Sequence, residues 1–202
     1  MSLNTHAIDG YAAQAPALIA QYDAVPSDRI YAGVRDLLPG APARVLDVGA
    51  GNGRDAEWCA AQGHTVTAVD PVAAFVSETM RRVPAATILR DSLPALKSVR
   101  GSFGLILVNG VWQHIDPTDR RTALTRLAGL LADGGRIVLS LRHGTGHPDR
   151  PTAPIDTDAT VTNGTALGLT LVRRVNTGSL QAANVVRGVT WTWLVFQKGE
   201  RA

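Results

Sequence analysis

Three carboxylates stand where a sheet enzyme keeps its ligand contacts, at the ends of consecutive strand-like runs: Asp47, Asp70 and Asp91. The first belongs to Val45-Leu46-Asp47-Val48, an apolar run that opens into Gly49-Ala50-Gly51-Asn52-Gly53-Arg54. Glycines there permit tight backbone angles and let a ligand approach the main chain. Free N–H groups at the start of the following helix can face a ligand carboxylate. Asp70 closes Thr65-Val66-Thr67-Ala68-Val69 and precedes Pro71. An acid at that tip can accept both hydroxyls of a ribose. Asp91, followed by Ser92, ends the third run and is placed to meet an adenine amino group. The chemistry this set suits is the grip on a nucleoside that carries an amino acid.

A dinucleotide fits the set less well. Its fingerprint is G-x-G-x-x-G/A, with a third small residue that lets the helix pack beneath the pyrophosphate. Here that place holds Arg54, and the glycines run G-x-G-x-G. Asp47 would also repel a pyrophosphate but attract the ammonium group of a methionine moiety.

These residues need a sheet to align them. Buried-strand runs are expected at Arg44–Val48, Thr65–Val69, Ala86–Leu89, Phe103–Asn109, Arg136–Leu141, Leu169–Val175 and Val189–Gln197. Helical patterns alternate with the first five, which favours a parallel sheet covered on both faces. Ile30, Val34, Leu37 and Leu38 predict one helix, with Ser27 as N-cap and Pro39-Gly40 as its stop. Leu124, Leu127, Leu130 and Leu131 predict another, stopped by Gly134-Gly135. About a dozen residues separate the last two strands, which suits an antiparallel return better than a helical crossover. His143–Pro154, rich in glycine and proline, is an irregular loop after a buried strand, and so a loop over a ligand site. Residues 1–42 read as an N-terminal helical segment, with Thr5–Val25 a lid carrying Tyr11 and Tyr22; residues 43–202 read as the ligand-binding domain.

The bulk figures bound the function. The chain has 202 residues, 45% of them hydrophobic, enough for one α/β domain with a real core. Twenty basic residues against seventeen acidic ones leave a net charge of +3 without a one-sided stripe, so a nucleic-acid partner is not expected. Cys59 is the single cysteine, which excludes an intrachain disulfide and agrees with a reducing compartment. Met1–Gly10 has no basic stretch before an apolar core, and no apolar run approaches the roughly 20 residues of a membrane span. The expected location is cytoplasmic, and the sequence leaves the oligomeric state open.

The segments between Arg44 and Leu141 resemble the class I S-adenosylmethionine (SAM)-dependent methyltransferase superfamily, in particular its small bacterial methyltransferase-domain proteins. Val45–Gly53 looks like the first motif of that family and Val69-Asp70-Pro71 like the second. Arg90-Asp91-Ser92 resembles the adenine-contacting segment, Phe103–Ile115 the fourth-strand motif, and Leu130–Leu141 the approach to the fifth strand. The resemblance implies a Rossmann-like sheet of order 3-2-1-4-5-7-6, with the seventh strand antiparallel. It also implies roles. Asp47, Gly49, Ala50 and Gly51 would surround the methionine part of SAM, with Asp70 and the adjoining Pro71 at the ribose. Asp91 and Ser92 would meet adenine, and Asn109 would approach the ammonium and sulfonium side. Arg54 is expected on the helix surface.

Transfer from a sulfonium needs chiefly positioning and desolvation, and a base only where the nucleophile arrives protonated. His114 is the first choice as base and His143 the second, because both follow strands at the carboxyl edge of the sheet, where Trp112 also lies. Asn109-Gly110-Val111-Trp112 lacks the Asn/Asp-Pro-Pro-Tyr/Phe pattern of amino-group methylases that act on adenine or glutamine. Cys59 lies far from the acceptor side, which disfavours cysteine-mediated methylation of cytosine carbon. A small-molecule acceptor is the expectation. The competing readings are a SAM-binding module without catalysis and an NAD(P)-dependent oxidoreductase. His143 and His147 lie one helical turn apart, but the intervening glycines oppose a helix and no further ligand is near, so no metal is expected.

Overall fold

The computed structural model describes residues 2–200. Seven strands form one sheet in the order β3-β2-β1-β4-β5-β7-β6. They are β1 (Arg44–Val48), β2 (Thr65–Val69), β3 (Thr87–Leu89), β4 (Phe103–Val108), β5 (Leu131–His143), β6 (Leu169–Gly178) and β7 (Thr190–Lys198). β1 pairs in parallel with β2 and β4, β2 with β3, and β4 with β5. β7 runs antiparallel to both β5 and β6. Among the described residues no helix is long and apolar enough to cross a membrane.

Strand alternation splits the core into two layers. Leu46, Val48, Ile106, Val108, Ile137, Leu139, Leu194 and Phe196 face one side, where α5 (Arg120–Leu130) adds Leu124, Leu127 and Leu130. Val45, Leu105, Leu107, Val138, Trp193 and Val195 face the other, covered by Ala56 and Cys59 of α3 (Arg54–Ala61) together with Tyr31 and Val34. A third cluster lies outside the sheet. There α1 (Leu3–Asp23) lays Ala15 and Leu18 against Phe75 of α4 (Ala73–Arg82).

Several boundaries differ from the sequence pattern. The expected helix around Ile30 is two pieces: α2 (Ser27–Ile30) and a 3₁₀ turn at Arg35–Leu37. Gly33 weakens the helix between them, and its carbonyl accepts from Arg173. Pro26, not Ser27, holds the N-cap position, because the Ser27 hydroxyl is turned inward to donate to Asp55 at 2.6 Å. α5 ends at Leu130, ahead of Gly134-Gly135, because Leu131 already pairs with Phe103 on β4. Gly135 sits at the bulge that follows, where a Cβ would come within 3.0 Å of the Phe103 carbonyl. The link from β6 to β7 holds the short α7 (Ala182–Val186) and makes the antiparallel return. α6 (Thr157–Ala166) completes the set of helices.

Candidate active site

Sheet register explains why the chemistry gathers at one place. Val48 pairs with Val69 on one side and Val108 on the other. The next residues, Gly49, Asp70 and Asn109, therefore leave the sheet at a common level. β1 lies where the order of strand addition reverses, since β2 and β3 extend to one side and β4 and β5 to the other, all parallel. Such a switch point opens a crevice outside the carboxyl ends of the strands.

A cavity of about 590 Å³ fills that crevice. Gly49, Ala50, Gly51, Asp70, Pro71 and Asn109 line one part. Tyr11, Gln113, His114, Arg142 and Arg150 line another. Helix α1 walls it from outside, held by Asn4 Nδ2 donating to the Leu93 carbonyl and Gln14 to Asp149. Gly10 lets α1 touch the 143–154 loop, because a Cβ there would fall 1.7 Å from the Asp149 carbonyl oxygen. That loop reaches the cavity through Gly146, His147, Arg150 and Thr152, while its Ala153 N–H donates to the Gln113 carbonyl.

The glycine loop closes on β2 rather than offering free donors. Gly49 and Ala50 N–H both donate to the Val69 carbonyl, and Gly51 N–H donates to Asp70 Oδ2 at 2.9 Å. Asp70 Oδ1 accepts from Val72 N–H at 2.8 Å. Each Asp70 oxygen keeps further acceptor capacity, since an ionised carboxylate offers about four lone-pair sites. Burial lifts the Asp70 pKa to about 6, and the Val72 and Gly51 N–H bonds moderate the rise. Gly49 has φ +73°, and a Cβ on it would stand 2.3 Å from Val111 Cγ2. With a positive φ and Val111 so close, only glycine fits at this position.

Behind the loop lies an ionised cluster centred on Asp55, a residue the sequence did not single out. Its oxygens accept from Ser27, Tyr31, Arg54 Nε and Asn109 Nδ2. Burial opposes ionisation of Asp55, but the Arg54 guanidinium outweighs it and holds the carboxyl below the usual range. Asp47 lies beside this cluster, 1% exposed, and does not line the cavity. Burial, then the Asp55 charge, pushes its pKa well up, and its Oδ2 is buried without a hydrogen-bond partner. Arg54 is not on the helix surface. Its guanidinium donates to the Tyr22 and Val25 carbonyls and fastens the end of α1 to the glycine loop. The signal for Asp55 was its place one residue after Arg54 in the first turn of α3, where an acid also reads as an ordinary helix-dipole partner.

Asn109 is fixed from both ends. Its amide donates to Asp55, and its carbonyl accepts from Ser140 Oγ at 2.9 Å. Asp91 and Ser92 do not line the cavity; the Asp91 carboxylate accepts from the N–H groups of Ser92 and Ser98 and orders that turn.

His114 faces the cavity and is held at both ring nitrogens. Nδ1–H donates to the Pro151 carbonyl at 2.8 Å, and Nε2 accepts from the Tyr11 hydroxyl at 3.0 Å. That fixes the neutral tautomer. Burial lowers the His114 pKa to about 4, against the value near 6.5 expected of a free imidazole, and the Arg142 and Arg150 charges act in the same sense. His143 is placed elsewhere, in a smaller hollow, where its Nε2 meets Thr192 Oγ1 at 2.9 Å. Trp112 turns into the core at 1% exposure. Among the described residues no group of three or more His, Cys, Asp or Glu side chains is arranged to hold a metal.

Residues 45–135 match the family model described as "Methyltransferase domain". An uncharacterized methyltransferase of Mycobacterium tuberculosis is 32% identical over 103 residues, covering 51% of this chain and 41% of that protein. The chain thus spans less than half of that relative's length in the match. Among solved structures, the 1,6-didemethyltoxoflavin-N1-methyltransferase of Burkholderia thailandensis, crystallised with 1,6-didemethyltoxoflavin and S-adenosylhomocysteine (SAH), superposes with a TM-score of 0.65 at 23% identity, over 86% of this chain and 76% of that one. A TehB-like SAM-dependent methyltransferase from Corynebacterium glutamicum gives a TM-score of 0.65 at 22% identity, over 91% and 99%. The sheet order and strand directions agree with the fold of these structures, and residues 45–135 are similar to the methyltransferase-domain family.

Proposed function

We propose that the chain transfers a methyl group from SAM to a small organic acceptor held in the same cavity. The observation that carries this reading is the cavity itself. It joins the glycine loop and Asp70 to the Tyr11–His114 pair in one space of about 590 Å³, within the usual range for small-ligand sites.

The residues fit the cofactor. The spare lone pairs of Asp70 suit two ribose hydroxyls, with Pro71 alongside. Gly49, Ala50 and Gly51 present bare backbone to the methionine part, and the fixed amide of Asn109 stands at the end of β4 on the sulfonium side. Asp47 acts from behind through the Asp55 cluster, and Asp91 with Ser92 orders the turn at the adenine end. Bound SAM supplies a methyl group on positively charged sulfur, whose leaving group departs neutral. The protein supplies position and dryness. α1 and the 143–154 loop form the cover that keeps water out.

Where the acceptor carries a proton, Tyr11 and His114 form a route for it. The nucleophile's proton passes to the Tyr11 oxygen while the phenol proton moves to His114 Nε2. A weakly basic imidazole serves here because the nucleophile becomes more acidic as attack proceeds. His143, which lies outside this cavity, has no part in that route.

The test is acceptor-dependent conversion of SAM to SAH across a metabolite library, with the label followed to the product. The expected result is turnover on a small heteroatom nucleophile. Turnover confined to protein or nucleic-acid substrates would overturn the small-acceptor reading.

A further inference from the structure

Of the described arginines that line the cavity without a carboxylate partner, Arg29, Arg142, Arg150 and Arg187, two bear on the Tyr11–His114 pair. Arg142, at the end of β5, donates to the carbonyls of Gly144 and Thr145. Arg150, on the loop that follows, lies with its guanidinium carbon 5.1 Å from the centroid of the Tyr11 ring. Its Nε is buried without a hydrogen-bond partner. Among the described residues neither arginine has a carboxylate within ion-pair distance. Elsewhere the chain pairs such groups readily, as in Arg54–Asp55, Arg82–Asp23 and Arg173–Asp36.

Both charges bear on the same place. Burial disfavours the Arg142 cation, and the charges of Arg187 and Arg150 disfavour it further; Tyr11 is the group that favours it. Two partly desolvated cations that repel each other cost free energy unless an anion joins them. Arg142 and Arg150 both act on the Tyr11–His114 pair: both lower the His114 pKa, and both act on Tyr11. The nearest carboxylate in sequence, Asp149, is turned to Gln14 and His147. The cavity wall beside them carries Trp191 and Leu180, which offer apolar surface.

Resting on the reading of the cavity as a methyl-transfer site, we propose that the acceptor is an organic anion whose carboxylate or phosphate monoester sits between Arg142 and Arg150, with its apolar body toward Trp191. The arrangement anchors the acceptor at one end and leaves its nucleophilic atom beside Tyr11. Guanidinium groups are suited to this because they bind planar oxyanions through paired donors.

The experiment titrates SAH-saturated protein with benzoate, phenyl phosphate and the neutral analogue benzamide. The expected result is that benzoate or phenyl phosphate binds and benzamide binds about tenfold more weakly or not at all; whichever anion binds tighter identifies the source of the charge. Arg142→Gln and Arg150→Gln are each expected to weaken the anion about 10- to 100-fold, the usual worth of one hydrogen bond to a charged group. SAH affinity should stay within about threefold, because uncoupled sites are independent. Arg150→Gln guards against a folding artefact, since unlike Arg142 it holds no loop carbonyl. Equal binding of benzamide, or no binding of either anion to SAH-saturated protein, would overturn the proposal. A tenfold loss of SAH affinity in both variants would overturn it too and assign the arginines to the cofactor's own carboxylate. Failure of the wild type to bind SAH would instead remove the methyl-transfer reading, and the proposal with it.

Discussion

His114→Gln is expected to lower kcat about 10²- to 10⁴-fold, the usual contribution of a positioned proton acceptor. SAH affinity should change little, because His114 bonds to Tyr11 and the Pro151 carbonyl and not to Asp70 or the glycine loop. Tyr11→Phe removes the first carrier of the route and should give a loss of similar size. The pH profile separates this from a packing role. With the imidazole pushed to about 4, the acidic limb of kcat/KM should fall near pH 4 instead of near 6.5. Stability carries the same signature. The unfolded chain takes up a proton on His114 as pH falls through about 6.5, while the folded chain does not until about 4. Stability from this group is therefore complete above pH 6.5 and declines from there down to pH 4. A shift of that size corresponds to about 3 kcal/mol at most. Stopped-assay kinetics from pH 4 to 8 on wild type and both variants check the assignment. A kcat within about threefold of wild type would leave the pair as structure, with proximity alone as the catalyst.

Asp70→Ala is expected to weaken SAH binding by roughly 2–4 kcal/mol, or about 30- to 1,000-fold, since two hydrogen bonds to a charged acceptor are lost. The sequence alone places this residue at a strand tip, where its loss would spare the fold. In the structure Asp70 also closes the glycine loop, by accepting from Gly51 and Val72 N–H. Alanine leaves both donors buried and unpaired, so a fall in stability without ligand is also expected. Titration separates the two effects. The carboxyl ionises at about 6 in the free protein, and ribose hydroxyls donating to it favour the charged form. Binding at pH 5 must therefore expel a proton that is already lost at pH 7. Wild-type affinity should fall about tenfold between pH 7 and pH 5. Asp70→Asn, which keeps the shape, should abolish that dependence. Calorimetry in two buffers of different ionisation heat measures the proton directly. Affinity independent of pH in the wild type would remove Asp70 from the ribose.

What was legible in the sequence follows from what short-range pattern encodes. Strand runs around Val45–Val48 and Phe103–Val108 read as near-continuous apolar runs because each is buried on both faces, and the order in which they join came from the family resemblance. The antiparallel return to β7 was legible from connection length. The single helix expected at Ile30 does not form, because Ile30, Val34 and Leu37 reach the core from separate turns around Gly33, which mimics helical spacing without a helix. In the site, Asp70, Gly49 and Asn109 were readable because each directly follows a strand. Asp55 and Arg54 were not. Their meaning depends on Tyr31, Ser27 and the end of α1, residues 24 to 32 positions away that only the fold brings near. Likewise the contact between Gly10 and Asp149 joins segments almost 140 residues apart, and nothing local announces it.

Whether this cavity is a SAM site is decided by titrating cofactor-free protein with SAH at pH 7, reading heat and thermal midpoint together. Saturable binding at one site per chain is expected, with about 2.7 kcal/mol of added stability at a hundredfold excess over the dissociation constant. No heat and no shift of the midpoint at millimolar SAH would contradict it.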